Sequence, residues 1–383
     1  MGKGCVDDLA LFGGQPLFQK VRPISNLVRP DINVFLSYLK ESYDTSYLQD
    51  GVLVRRLERR LEKMHGARCV TFCNGLWGMI LCASLLASKG KRQVIMPSFT
   101  YRRLGDIAAW LGLVPCYCDV DPYTLVVTPE TVGSCIGQDS ALILATQAMV
   151  HRVDYNGLEN LARESCLPLM IDSVEAGYAT YKGRKVGSFG DAECFSMHAS
   201  KLLNAFEAGY IATNRDDLIR GLRRLRSCYD MGLNETHAAM ALASLDDLDG
   251  QIDRNKLRYR TYQRVLGGVV GLTLLEYVEQ ETQCFKNIAI RLEDSWPLSR
   301  SDTLDLLHAE KMLARPYYYP PLHMKQTSYQ TISDDLLVTE RVSQNHLLLP
   351  CGDFVSLQDI ELVGEFLGFL SVYGEEINAY IYR

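Results

Sequence analysis

Leu53, Leu57, Leu61 and Met64 recur at helical spacing, with Arg55, Arg56, Arg59 and Arg60 on the other faces, which predicts an amphipathic helix. Glu58 and Glu62 lace that arginine cluster, so its simplest reading is a solvated face. From about residue 50 to 230, short apolar runs alternate with helical patterns. Strands are predicted over 93–96, 114–119, 141–146, 168–172, 192–196 and 209–213, and helices over 75–88, 104–111, 129–136, 157–164 and 216–228. Strand–helix alternation at this spacing predicts an α/β fold: a large, mostly parallel sheet with helices on both faces. Such sheets place ligands at the carboxyl ends of their strands. Ala238, Leu242, Leu245, Leu248, Ile252, Tyr259, Tyr262 and Leu266 then predict one long helix, 237–266, stopped by Gly267-Gly268. A smaller α/β unit follows, with strands over 285–292 and 346–349, helices over 301–309 and 357–370, and a Pro/Tyr-rich turn between. The expected organisation is a large domain, 1–250, with an N-terminal arm, 1–50, joined through the long helix to a small C-terminal domain, 251–383.

Composition narrows the class. The 383 residues are 47% hydrophobic and 22% charged, enough apolar material for a large core and unlike a disordered chain. Forty Lys+Arg against 46 Asp+Glu leave a net charge of −6, which argues against a general nucleic-acid or anionic-membrane binder. The twelve cysteines are scattered without CxxC repeats, and Cys116 and Cys118 fall on one face of an apolar strand. They read as reduced, buried thiols of a cytoplasmic protein, and no metal site is expected. Asp7 and Asp8 stand where a signal peptide needs an apolar stretch, and Val6 stands where myristoylation at Gly2 wants Ser or Thr. No apolar run approaches the ~18 residues of a transmembrane helix.

Candidate chemistry concentrates in two stretches. The apolar run Leu169-Met170-Ile171 ends in Asp172, followed by Ser173-Val174-Glu175, and Ala192–Ser196 leads through Met197-His198-Ala199-Ser200 to Lys201. Upstream, Cys73-Asn74-Gly75-Leu76 opens a predicted helix, whose first amides and positive dipole end form an anion site without a charged side chain.

These residues resemble the DegT/DnrJ/EryC1/StrS family of pyridoxal-phosphate-dependent sugar aminotransferases, over nearly the whole chain from Leu48 onward. The matching segments include Pro97–Tyr101, Asp119–Pro122, Tyr181–Asp191, Ser196-x-x-x-x-Lys201, His237–Leu242 and Tyr317–His323. The resemblance implies the fold-type I, aspartate-aminotransferase-like architecture, pyridoxal 5'-phosphate as cofactor, and a homodimer with shared active sites. It implies that Lys201 carries the cofactor as a Schiff base and then moves the proton, which suits an amine of depressed pKa. It places Asp172 at the pyridine nitrogen, where a carboxylate keeps the ring protonated and electron-withdrawing, 29 residues before Lys201. It assigns the phosphate to Asn74, Gly75, Leu76 and Ser196, ring stacking to Tyr101, and a reach into the partner's site to Asn234. The turn Arg315–His323 resembles that of members making 4-amino-4,6-dideoxyhexoses, which implies substrate contacts by Tyr319 and His323. The expected reaction moves an amino group, from glutamate, onto a ketone of a nucleotide-linked deoxysugar.

Three positions depart from the family. Leu76 stands where Thr or Ser is usual, removing one hydroxyl from the phosphate site. Glu175 replaces a Gln or His that reaches the ring's phenolic oxygen, and a carboxylate there would repel a phenolate unless protonated or turned away. The stretch Arg226–His237 is several residues short. These departures leave room for a cyclitol or another natural-product ketone as substrate. The alternative class is a diverged relative that eliminates or oxidises, or only binds; relatives that became dehydratases replace the lysine by His, and Lys201 speaks against that route.

Overall fold

Two main sheets and a two-stranded ribbon organise the chain in the computed structural model, which describes residues 3–23, 27–45, 51–278 and 281–382. Leu48, where the resemblance begins, and the Met1-Gly2 start lie outside the described residues. The strands are β1 Arg68–Phe72, β2 Gln93–Pro97, β3 Val114–Cys118, β4 Ser140–Thr146, β5 Leu169–Asp172, β6 Thr180–Tyr181, β7 Arg184–Lys185, β8 Ala192–Ser196, β9 Gly209–Thr213, β10 Leu272–Leu274, β11 Ile288–Leu292, β12 Arg315–Pro316, β13 Ile332–Ser333 and β14 His346–Leu349. The helices are α1 Ile32–Thr45, α2 Val52–His65, α3 Gly75–Leu86, α4 Leu104–Trp110, α5 Pro129–Gly133, α6 Tyr155–Glu164, α7 Asp216–Cys228, α8 Glu235–Asp246, α9 Leu248–Leu266, α10 Arg300–Ala309, α11 Leu337–Asn345 and α12 Leu357–Ile381.

The large sheet has eight strands in the order β1-β9-β8-β5-β4-β2-β3-β13. From β13 to β8 every pairing is parallel; β9 alone runs against its neighbours β8 and β1. Every residue of β4 is buried, as a strand covered by helices on both faces must be. The smaller sheet, β10-β11-β14-β12, is antiparallel throughout.

The structure refines the sequence reading in particular places. β1 is an added edge strand: its apolar run is short and opens on Arg68, so it carries little pattern, yet four of its five residues are buried. The predicted long helix breaks at Asp247, whose backbone leaves the helical region. Asp246, Asp247 and Asp249 suit the start of α9 and oppose the end of α8, and Asp247 pairs with Arg254 at 2.6 Å. The terminal helix runs on to Ile381 from a capping box at Ser356 and Asp359. In α2, Glu58 turns inward rather than lacing the arginines, accepting from Thr71 at 2.9 Å and pairing with Arg226 at 2.8 Å. Cys116 and Cys118 are buried and free, as read from the sequence.

Candidate active site

The carboxyl ends of β2, β4, β5 and β8 face the smaller sheet across one cavity of about 570 Å³. Its walls bring together Asn74, Gly75, Leu76, Tyr101, Asp172, Glu175, Ser196, Lys201 and Tyr319. The sequence scatters these residues over some 245; the parallel strand order gathers them.

The start of α3 forms one wall. Asn74 is extended and caps the helix, its Oδ1 accepting from the Leu76 amide at 2.7 Å, while its Nδ2 donates to Glu207 at 3.1 Å. This helix end lies against β9 only because residue 209 is glycine: a Cβ there would sit 2.3 Å from Gly75 Cα and 2.9 Å from the Phe195 carbonyl oxygen. Ser196, at the end of β8, accepts from the His198 amide at 3.2 Å.

Asp172 ends β5 and is buried; Oδ1 accepts from the Val174 amide at 3.1 Å, and Oδ2 has no hydrogen-bond partner among the described residues. Burial, opposed by the Val174 N–H and the Lys201 charge, pushes its carboxyl up to about 6. The turn after it is braced from behind by Glu193, which accepts from the Gly187 and Phe189 amides at 2.6 and 2.8 Å and from Ser173 Oγ. Burial pushes Glu193 up to about 7, opposed by the hydrogen bonds from Ser173, Phe189 and Gly187.

Glu175 is engaged through both carboxylate oxygens. Its Oε1 is 2.6 Å from Lys201 Nζ and its Oε2 2.8 Å from Lys286 Nζ, with Asn287 Nδ2 donating to Oε2 at 3.0 Å. Burial alone would raise this carboxyl, but the two lysines hold it well below the usual carboxylate range. Lys286 and Asn287 carry no family motif; the available signal was a lysine inside an otherwise apolar strand pattern. Not singled out in the sequence as site residues are Arg102, Arg103 and Arg315, exposed cations of the cavity lining. Arg102 and Arg315 make no ion pair among the described residues, whereas Arg103 pairs with Asp106.

Two expected site residues lie elsewhere. Asn234 is exposed and caps α8, accepting from the His237 amide at 2.9 Å, away from this chain's cavity. His323 is off the cavity lining, held by Ser98 Oγ at 2.7 Å and Glu340 at 3.3 Å, because its short helical turn packs behind the β2 end.

The residues fit pyridoxal phosphate. Asp172 is a buried carboxylate whose inward oxygen lacks a donor, which a protonated ring nitrogen would supply; a lysine stands in the same cavity, and a helix start offers amides to a phosphate.

The sequence profile of the DegT/DnrJ/EryC1/StrS aminotransferase family matches residues 31–367. The L-glutamine:2-deoxy-scyllo-inosose aminotransferase of Streptomyces fradiae is 33% identical over 174 residues, 45% of this chain and 41% of that protein. GDP-perosamine synthase of Caulobacter vibrioides is 24% identical over 343 residues, 85% of this chain and 92% of that one. The crystal structure of DesI in the presence of its TDP-sugar product superposes with a TM-score of 0.92, at 28% identity, over 99% of this chain and 100% of that one. The architecture is accordingly that of the fold-type I pyridoxal-phosphate enzymes.

Proposed function

The chain belongs to the DegT/DnrJ/EryC1/StrS family of pyridoxal-phosphate-dependent aminotransferases, and on that premise we propose that it moves the amino group of glutamate onto a ketone of a nucleotide-linked deoxysugar. The observation that carries the substrate class is the full-length likeness to DesI, solved with a TDP-sugar product. The exposed Arg102 and Arg315 beside the cavity supply the cations a sugar-linked diphosphate requires.

When bound, the cofactor supplies an electron sink for the negative charge that develops on the substrate carbon. Lys201, in the cavity wall, would hold the cofactor through its aldehyde carbon, and its Nζ, when free, would be the group placed to move a proton at the reacting carbon. Asp172 Oδ2 would hold the proton on the ring nitrogen. The α3 amides and Ser196 Oγ would hold the phosphate; the Leu76 amide, now bonded to Asn74 Oδ1 at 2.7 Å, would be among them. Tyr101 would cover the ring, and Tyr319, its own ring under the Arg300 guanidinium at 4.0 Å, would border the substrate. His323 supports the wall through Ser98 and is assigned no substrate contact.

We read residues 1–250 as the cofactor-binding unit and 251–383 as the smaller unit that covers it, the latter also lending β13 to the edge of the large sheet. Ile32, Leu36 and Tyr43 on α1, and Phe206 against Phe35, are exposed apolar groups that a second copy would cover, with Asn234 delivered to the partner's site. All twelve cysteines are free, which suits a reducing cytoplasm; no described helix is long and apolar enough to cross a membrane. The test is the half-reaction: glutamate should convert the bound aldehyde form of the cofactor to its amine form, and a dTDP-linked 4-keto-6-deoxyhexose should convert it back. The segment shared with the inosose aminotransferase supports a cyclitol ketone as the second reading; reoxidation by 2-deoxy-scyllo-inosose alone would select it.

A further inference from the structure

Lys286 sits at the approach to β11 and is 3% exposed. A buried ammonium persists only when paired, and its ion-pair partner is Glu175, at 2.8 Å. Because Glu175 also faces Lys201 at 2.6 Å, one carboxylate stands between two ammoniums, a trio with one surplus positive charge that Asp172, in the same cavity, opposes. The two lysines are not equivalent. The Lys201 side chain is 23% exposed and can leave the carboxylate for a ligand, whereas Lys286, walled in, cannot follow.

We propose that Lys286 is a positioning residue of the aminotransferase site: it keeps Glu175 charged and in place when Lys201 is committed to the cofactor, and its own charge opposes the pull of Glu175 on the Lys201 nitrogen. The inference rests on Lys201 being the cofactor lysine. Without Lys286, the Lys201 nitrogen would feel a bare carboxylate; with it, much of that attraction is cancelled. Burial lowers the Lys286 ammonium below its ordinary range and Glu175 opposes that shift. The other ionisable groups around the pair are Lys201 and the thiols of Cys284 and Cys351, with Asp172, Tyr317 and Tyr318 reaching it through Glu175; no described carboxylate besides Glu175 makes an ion pair with Lys286. The same arrangement explains how a carboxylate is accommodated at position 175: it is a counter-ion with a permanent partner.

The experiment titrates the visible absorption of the purified, cofactor-loaded enzyme against pH, in the wild type, Lys286→Met, Lys286→Arg and the double variant Glu175→Gln/Lys286→Met. The proton-dependent change of the lysine–cofactor band should move up by about one pH unit or more in Lys286→Met, as expected when a neighbouring like charge is removed. Lys286→Arg should return it toward the wild-type position. The double variant removes both charges together, so neither partner of the Lys286–Glu175 pair is left buried and unpaired, and its band change should move down, since the nearer charge lost is the negative one. A Lys286→Met or double variant that titrates like the wild type would overturn the proposal. A wild-type protein with no borohydride-sensitive band would instead overturn the assignment of Lys201, and is recognised before any variant is made.

Discussion

Replacing Asp172 with Asn exchanges a buried carboxylate for a neutral amide of nearly the same shape, and Oδ1 can still accept from the Val174 amide. Burial, partly opposed by that N–H and by Lys201, pushes the carboxyl from 3.8 up to about 6. At ~1.4 kcal/mol for each pH unit, holding this group charged in the cofactor-free site costs about 3 kcal/mol. The folded chain binds the proton more tightly than the unfolded one. Stability therefore declines as pH rises from about 4 to about 6, and stays at the lower level above that. Asn carries no such penalty. Cofactor-free Asp172→Asn should be more stable than the parent at about pH 8, by up to about 3 kcal/mol or a few degrees in Tm, and should match it near pH 4. With cofactor bound the order of merit reverses for catalysis: the amide cannot hold the ring nitrogen protonated, and amino transfer from glutamate should fall by orders of magnitude, each ~1.4 kcal/mol being tenfold. Calorimetry of the cofactor-free proteins at the two pH values, with single-turnover spectra of the loaded ones, measures both halves. A variant less stable than the parent at the higher pH would refute the electrostatic reasoning, and one that keeps near-normal turnover would refute the role of Asp172.

Gly209→Ala places a methyl 2.3 Å from Gly75 Cα, so α3 and β9 must part; a loss of roughly 1–3 kcal/mol in thermal stability is expected, with weaker pyridoxal phosphate binding by fluorescence titration. Arg102→Ala and Arg315→Ala should raise KM for the nucleotide sugar about tenfold or more while leaving the glutamate half-reaction near its parent rate; equal loss in both halves would remove the diphosphate assignment. Light scattering should give a dimer, and a stable, loaded and active monomer would contradict shared active sites.

The parallel sheet was legible because buried strands read as uninterrupted apolar runs and their helices as periodic ones; β2, β4, β5 and β8 fall within a residue or two of their predicted ends. Asp172 and Ser196 stand where such runs stop, which is why they could be singled out. β1 was not legible, since its fully buried Thr71 and leading Arg68 disguise a core strand. The break at Asp247 was hidden because the apolar stripe continues across it. Position 175 could be seen to be unusual, but its explanation lay 111 residues away at Lys286, a pairing that only the approach of the smaller sheet creates. His323 shows the converse: its motif was legible, while its orientation toward Ser98 depends on packing behind β2.

Reduction of the loaded enzyme with borohydride, followed by proteolysis and peptide mass mapping, tests the central claim most directly. The pyridoxyl group should be recovered on the peptide containing Lys201, the more accessible of the two lysines that flank Glu175. Recovery on Lys286, or on any lysine outside the cavity, would contradict the account.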